Sequence, residues 1–434
     1  MTRYCVIGAG AAGLSAAATL RGAGHDVVCY EKTDRVGGHW NTDYDALHLI
    51  TSRDTTTFDD FPMPDHYPHF PRRDEVRDYI KSYADARGLE RVIQFGTCVE
   101  SVSPVPTDGR PGTAGWVVHT SRGNQEHFDG VLVANGHLWD PKIPDVPGDF
   151  DGVQLHSSQY QNVSDLKGSR VLVVGAGNSG CDLAVDVAQH RLETDVVMSK
   201  GIQFQPKTYL GLPRQQLDFL RQYTSAEQDF INRLMSRIVL GAPADYGMPV
   251  PEARSLADGP VTVNSLLMYW IQHGRVGVRP VIERFEGSTV HFLDGTSADY
   301  DNILWATGFN ARLPFLAEDL IRWESGVPIR RAGGILPEGV EQLYFIGLIA
   351  PRGPQIPVYG LQSALVVRML ALHARGVLGP VAEQFEKLQE AELRIDIVRD
   401  TWLEQMDDTE RLLDAFESVE HLDHPDSEHI EEWS

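Results

Sequence analysis

The chain has 434 residues, more than one core usually organises, and its 42% hydrophobic and 23% charged residues are the balance of a globular protein of two or more domains. A formal charge of −23 repels phosphate backbones and anionic lipid surfaces, so neither nucleic acid nor membrane is an expected partner. Cys5, Cys29, Cys98 and Cys181 form no C-x-x-C pair, which argues against a disulfide framework, a zinc site or a dithiol redox centre and points to a reducing cytoplasm.

The N-terminal MTRYCVIGAGAAGLSAAATL imitates a signal peptide, but glycines at fixed offsets have no use in one. No later segment reads as a membrane span, and the protein is expected to be soluble. Residues 3–31 predict a complete βαβ unit: RYCVI a buried strand, GAGAAG a tight turn, LSAAATLRGAG a helix, VVCYE a second strand. Gly8 permits the turn, Gly10 admits a pyrophosphate to backbone N–H groups, and Gly13 lets helix pack on strand. Glu31 ends the second strand, where a carboxylate can bond a ribose hydroxyl.

The pattern returns in residues 169–200, SRVLVVGAGNSGCDLAVDVAQHRLETDVVMSK, with Gly175, Gly177 and Gly180 opening the helix. Its second strand ends in Met198, Ser199 and Lys200 instead of an acid, which favours NADP over NAD if the lysine meets a ribose phosphate; a plain surface lysine is the alternative. Asn178, at the helix start, suits either a contact to nicotinamide or phosphate or an ordinary N-cap. FDGVLVANGHLWDPKIP and YDNILWATGFNARLPF are alike, each a buried strand running into a glycine, Gly136 or Gly308, with proline beyond.

These segments together resemble the flavin-containing monooxygenases, the class B flavoprotein oxygenases that include the Baeyer–Villiger enzymes. The resemblance rests on GAGAAG, EKTDRVGGHW, FDDFPMPDHYPHFP, NGHLWDPKIP, GAGNSGCD, WATGF and LYFIGLIAPRGPQIPVYGLQ. FDGVQLHSSQY is similar to the family's identifying pattern F-x-G-x-x-x-H-x-x-x-Y/F, with Phe150, Gly152, His156 and Tyr160 in place; a Baeyer–Villiger enzyme usually differs just after the histidine.

The resemblance implies an α/β fold of two dinucleotide-binding, Rossmann-like domains, the NADPH domain inserted in the FAD domain. The FAD domain is expected over 1–160 and 299–434, with charged C-terminal helices and a solvated acidic tail, and the NADPH domain over 161–298. NADPH would reduce FAD, dioxygen would add to it, and the flavin hydroperoxide would oxygenate a soft nitrogen or sulfur of a small-molecule substrate. Besides the glycines, Glu31, Ser199 and Lys200, the implied cofactor contacts are Lys32, Gly38, Trp40, Val99, Ser179, Thr307, Gly308 and Gln362. Asn178, Arg53 and His156 are the candidate catalytic residues, with a structural role the preferred reading of His156. One departure stands out: where animal members carry an Asn held to contact the oxygenated flavin, this chain has Ile50, with Thr51, Ser52 or Arg53 as substitutes. Baeyer–Villiger oxygenation of a ketone and a non-catalytic nucleotide-binding redox sensor are the competing functions; homo-oligomerisation is left open.

Overall fold

The computed structural model describes residues 2–376 and 379–419. Its elements run β1 (Arg3–Ile7), α1 (Ala11–Gly22), β2 (Asp26–Tyr30), β3 (Ile93–Gln94), β4 (Gly130–Val133), β5 (Val153–His156), β6 (Arg170–Val174), α2 (Asn178–Gln189), β7 (Glu193–Val197), β8 (Val276–Arg279), β9 (Asn302–Trp305), β10 (Leu343–Phe345) and α3 (Ile356–Arg375), omitting shorter pieces. Two five-stranded parallel sheets result, ordered β10-β4-β1-β2-β3 and β8-β7-β6-β9-β5. Both have the order of a doubly wound unit, so the repeat read from the glycines extends to whole domains.

The likeness reaches the crossovers. A three-stranded antiparallel meander precedes β4 (Val99–Pro104, Trp116–Thr120, Gln125–Phe128) and another precedes β9 (Ile282–Glu286, Thr289–Phe292, Ser297–Asp299). Each covers one face of its sheet: Trp116, Val118 and Phe128 pack on Cys5, Ile7 and Tyr30, and Phe285, Val290 and Phe292 on Leu172, Val174 and Ile303. Helices cover the other faces, and the strands, buried on both sides, read as continuous apolar runs.

The domain boundaries differ from those expected. Both β5, within 1–160, and β9, within 299–434, lie in the second sheet, so that domain extends from near 150 to near 306. The reason is pairing: the WATG strand fills the slot beside β6 that the VANG strand fills beside β1.

α3 also departs from expectation, being long and apolar enough on composition to cross a membrane; half of that window is buried, with Val358, Leu365, Val366 and Met369 in the core beside α1. The expected charged C-terminal helices are Val381–Leu388 and Arg399–Val419, whereas the acidic tail lies outside the described residues.

Candidate functional site

The two glycine loops superimpose hydrogen bond by hydrogen bond. Gly8 N–H donates to Tyr30 O at 2.8 Å and Gly175 N–H to Val197 O at 3.1 Å; Leu14 N–H reaches Gly10 O and Cys181 N–H reaches Gly177 O, both at 3.0 Å. Gly8 and Gly175 stand at φ +102° and +107°, and a Cβ on either would lie 2.7 or 2.6 Å from the carbonyl oxygen of Ala134 or Ala306. Only glycine fits that left-handed turn beneath a neighbouring strand. At Gly13 and Gly180 a Cβ would come within 1.8 and 2.0 Å of the Gly8 and Gly175 carbonyl oxygens, so these two close helix against strand.

The middle glycines behave differently. A Cβ on Gly10 would meet only Gly38, its Cα at 3.7 Å and its N at 3.9 Å, and one on Gly177 would meet nothing within 4 Å. Neither is demanded by the protein's own packing. What both keep clear is the start of a helix whose N–H groups have no partner within the helix, the place a pyrophosphate occupies. The residues present fit two dinucleotides.

At the second strand's end the loops part. Glu31, 5% exposed, accepts Ala9 N–H at 2.7 Å on Oε2, and the N–H and Oγ1 of Thr33 at 2.8 Å on Oε1. These bonds hold the carboxylate beside the first loop with acceptor capacity left for a ribose hydroxyl. By register Met198 takes the place of Glu31: Ile7 pairs with Tyr30 just as Val174 pairs with Val197. Met198 is buried; Ser199 and Lys200 follow, exposed, and Lys200 has no ion pair among the described residues. The neighbouring Arg279 is occupied, its Nε on Asp195 Oδ2 at 2.8 Å.

The GGHW loop docks on the first glycine loop through Gly37 N–H to Ala9 O at 3.0 Å, and a Cβ on Gly38 would lie 3.3 Å from Gly10 Cα. Trp40 is half-buried against the first domain's core. Lys32 is exposed, its Nζ 5.2 Å from the Trp139 ring centroid, and Val99 is buried with Val28 and Tyr30. Gln362 is fully buried and its amide is committed, accepting Gly347 N–H at 2.9 Å and donating to Gly333 O at 3.0 Å. It shapes a backbone turn.

The three candidate catalytic residues all have structural partners. His156 is wholly buried; Nδ1 accepts Ser158 N–H at 3.2 Å, so Nε2 carries the proton and donates to Gly308 O at 3.0 Å, and burial lowers its pKa. Arg53 Nη1 donates to the carbonyls of Asp65 and Tyr67, stapling its own loop. Asn178 Oδ1 accepts Val263 N–H at 2.9 Å, and helix α2 has Gly177 as its N-cap, so Asn178 is not the plain N-cap of the alternative reading. Ser179 is half-buried in the first turn of α2, and Thr307 Oγ1 donates to Lys142 O.

Around the hinge, Phe150 stacks obliquely on Phe285 with centroids 5.6 Å apart, a Cβ on Gly152 would strike Asp301 O at 2.4 Å, and Tyr160 OH donates to Asp186 Oδ2 at 2.6 Å. The identifying pattern thus fastens the crossover to the second sheet. Three groups escaped the sequence reading because their partners are remote. Tyr44 OH, from the first domain, donates at 3.2 Å to Asp182 Oδ2 in α2, and burial lifts the Asp182 carboxyl to about 7. His137 Nδ1 donates to Gly347 O at 3.3 Å, and burial brings its pKa down to about 4. Arg330 is a fully buried cation behind the same Gly347 turn.

A family model described as flavin-binding monooxygenase-like matches residues 1–420. Flavin-containing monooxygenase 5 of Oryctolagus cuniculus is 33% identical over 390 residues, spanning 83% of this chain and 72% of that protein. Dimethylaniline monooxygenase (N-oxide-forming) 2 of the same species is 30% identical over 395 residues, spanning 85% and 73%. Among solved structures, an open form of cyclohexanone monooxygenase is similar with a TM-score of 0.71 at 17% identity, covering 96% of this chain and 98% of that one. S-allyl-L-cysteine S-oxygenase from Allium sativum is similar with a TM-score of 0.62 at 20% identity, covering 100% and 95%. A family match along nearly the whole length, in a chain whose two glycine loops repeat each other bond for bond, places it in the flavin-binding monooxygenase family.

Proposed function

We propose that the protein is an NADPH-dependent FAD monooxygenase that oxygenates a soft nucleophile, an amine nitrogen or a thioether sulfur. The observation that carries the assignment of the two sites is the exchange of Glu31 for Met198 at matching positions of otherwise equivalent loops. FAD, when bound, supplies the redox and oxygen chemistry. The chain supplies the seats: helix N-termini for the two pyrophosphates, Glu31 for the adenosine ribose of FAD, and a buried, neutral His156 that holds the Gly308 carbonyl. The His137 imidazole, neutral above about pH 4, braces the Gly347 turn without adding charge. A panel of amines, thioethers and ketones, scored for substrate-stimulated NADPH consumption and product mass, tests the reading. Lactone or ester formation from ketones alone would move it to the Baeyer–Villiger class. A cytoplasmic location is part of the proposal, supported by four free cysteines of which three are buried.

Lys200→Ala should raise the KM for NADPH about fivefold, the loss of one exposed charge-assisted bond of about 1 kcal/mol, and leave that for NADH unchanged. Flavin reduction measured with both coenzymes checks this; an equal effect on both would make Lys200 a surface charge.

Ile50 is half-buried, and its neighbours offer no ready substitute amide: Thr51 Oγ1 bonds Thr56 Oγ1 at 2.7 Å, Ser52 Oγ bonds Thr55 Oγ1 at 3.0 Å, and Arg53 is stapled. The enzyme should therefore release hydrogen peroxide when reduced by NADPH without substrate. Ile50→Asn should cut that release about fivefold, the worth of one hydrogen bond near 1 kcal/mol. Peroxide quantified per NADPH consumed decides it, and negligible release from the unaltered enzyme would sink the idea.

A further inference from the structure

A pair of cations near the second glycine loop is used by nothing described so far. The strand Gln203–Gln205 pairs with Val261–Val263, whose Val263 N–H is held by Asn178 and whose Thr262 Oγ1 donates to Ala176 O at 3.1 Å, so this segment borders the loop. The chain then makes a hairpin, Thr208–Tyr209 against Leu212–Pro213, and returns through Arg214–Gln216. Gln216 Nε2 donates to Asp54 Oδ2 at 2.7 Å, and Lys207 Nζ stands 5.8 Å from the Phe70 ring centroid, so the hairpin base faces the first domain.

Arg214 N–H donates to Lys207 O at 3.0 Å, which sets the two cations opposite one another across the hairpin. Like charges so placed repel. Neither side chain has a counterion: among the described residues the Lys207 ammonium makes no ion pair or hydrogen bond, and the Arg214 guanidinium bonds only the neutral Gln205 through Nη1. Asp54 is already shared by Arg53 and Gln216. The Nε of Arg214 and both polar atoms of the adjacent Gln215 amide are sealed from solvent without a partner. Burial brings the Lys207 ammonium down to about 8 and lowers Arg214 as well. Two facing, half-desolvated cations with orphaned donors are costly to keep unless an anion completes them.

We propose that Lys207 and Arg214 form the seat for a carboxylate carried by the substrate, so that the preferred substrate is an anionic amine or thioether. The inference rests on the monooxygenase reading and narrows it. A net charge of −23 disfavours the approach of an anion, and a local cation pair turned toward the interdomain side offsets that repulsion where it matters. A phosphate of the coenzyme shares the same chemistry, but Lys200 already stands at the strand end where the ribose is expected, and the hairpin base looks away to Phe70.

The test compares 3-(methylsulfanyl)propanoate with its uncharged amide on the FAD-loaded enzyme, in the unaltered chain and in Lys207→Met, Arg214→Met and Lys207→Arg. The expected result is a KM at least tenfold lower for the propanoate, a ratio that falls to near one in either Met variant and is kept in Lys207→Arg. A ratio near one in the unaltered enzyme overturns the proposal. So does a rise in the KM for NADPH with the ratio intact, which assigns the pair to a coenzyme phosphate. Calorimetric titration of hexanoate into the oxidised holoenzyme reads the seat without turnover: absence of Lys207-dependent binding overturns it. Hexanoate binding in an enzyme that oxygenates neither thioether supports the seat and overturns the monooxygenase reading instead.

Discussion

Gly177→Val should give a yellow, folded protein that NADPH reduces at least a hundredfold less efficiently. The Cβ meets nothing of the protein within 4 Å, so the fold has no reason to object. What the side chain fills is the approach to the first N–H groups of α2. Losing two charge-assisted bonds to a pyrophosphate, each about 1.5–3 kcal/mol, amounts to a factor of about a hundred or more. Gly180→Ala is the contrasting variant: its Cβ would come within 2.0 Å of Gly175 O, so the helix must leave its strand and the second domain should fail to fold. Stopped-flow flavin reduction against NADPH concentration, with dithionite reduction as control, separates binding from folding. Reduction of the Gly177→Val enzyme at the unaltered KM would remove the second loop from coenzyme binding.

Arg330→Met should lower the temperature of flavin release by about 6–20 °C. The guanidinium, 0% exposed, donates to Pro328 O at 3.0 Å, to Arg394 O at 2.9 Å and to Leu348 O, and Glu392 lies close enough to favour its charge. Burial still pulls its pKa down to about 10, so the charge is desolvated and held by these acceptors. Methionine fills the space but leaves three carbonyls unsatisfied, a loss of about 3–5 kcal/mol, and a single domain of about 150–250 residues moves about 2–4 °C per kcal/mol. Because Leu348 adjoins the Gly347 turn braced by Gln362 and His137, flavin should leave as the turn loosens. Differential scanning with flavin fluorescence reads both, and an unchanged release temperature would show that other contacts hold the turn.

The glycines and Glu31 were legible because each answers to a local demand: a left-handed φ, a helix against its own strand, an acid one residue past a strand. Strand partners were not. β5 and β9 carry no mark of the sheet they join, since pairing is decided by segments more than a hundred residues away. The same distance hides the use of polar side chains. Nothing in the sequence marks the Gln362 amide as the one that holds Gly347 and Gly333, and Arg330 is one arginine among many until it is found at 0% exposure. Lys207 and Arg214 are unremarkable seven positions apart; only the hairpin makes them face each other.

The chain passes between the two sheets twice, once outward and once back. Asp140–Pro141 on the first passage pairs antiparallel with Phe309–Asn310 on the second, and Lys142 N–H adds a bond to Gly308 O at 2.9 Å. Two tethers zipped side by side bend readily across their width and resist stretching or shearing. The two passages therefore hold each other in register, and His156, donating to Gly308 O from the adjoining strand, ties the second sheet to the same crossing. A change that parts this pairing should therefore be felt in both sheets at once, although it touches the glycine loop of neither.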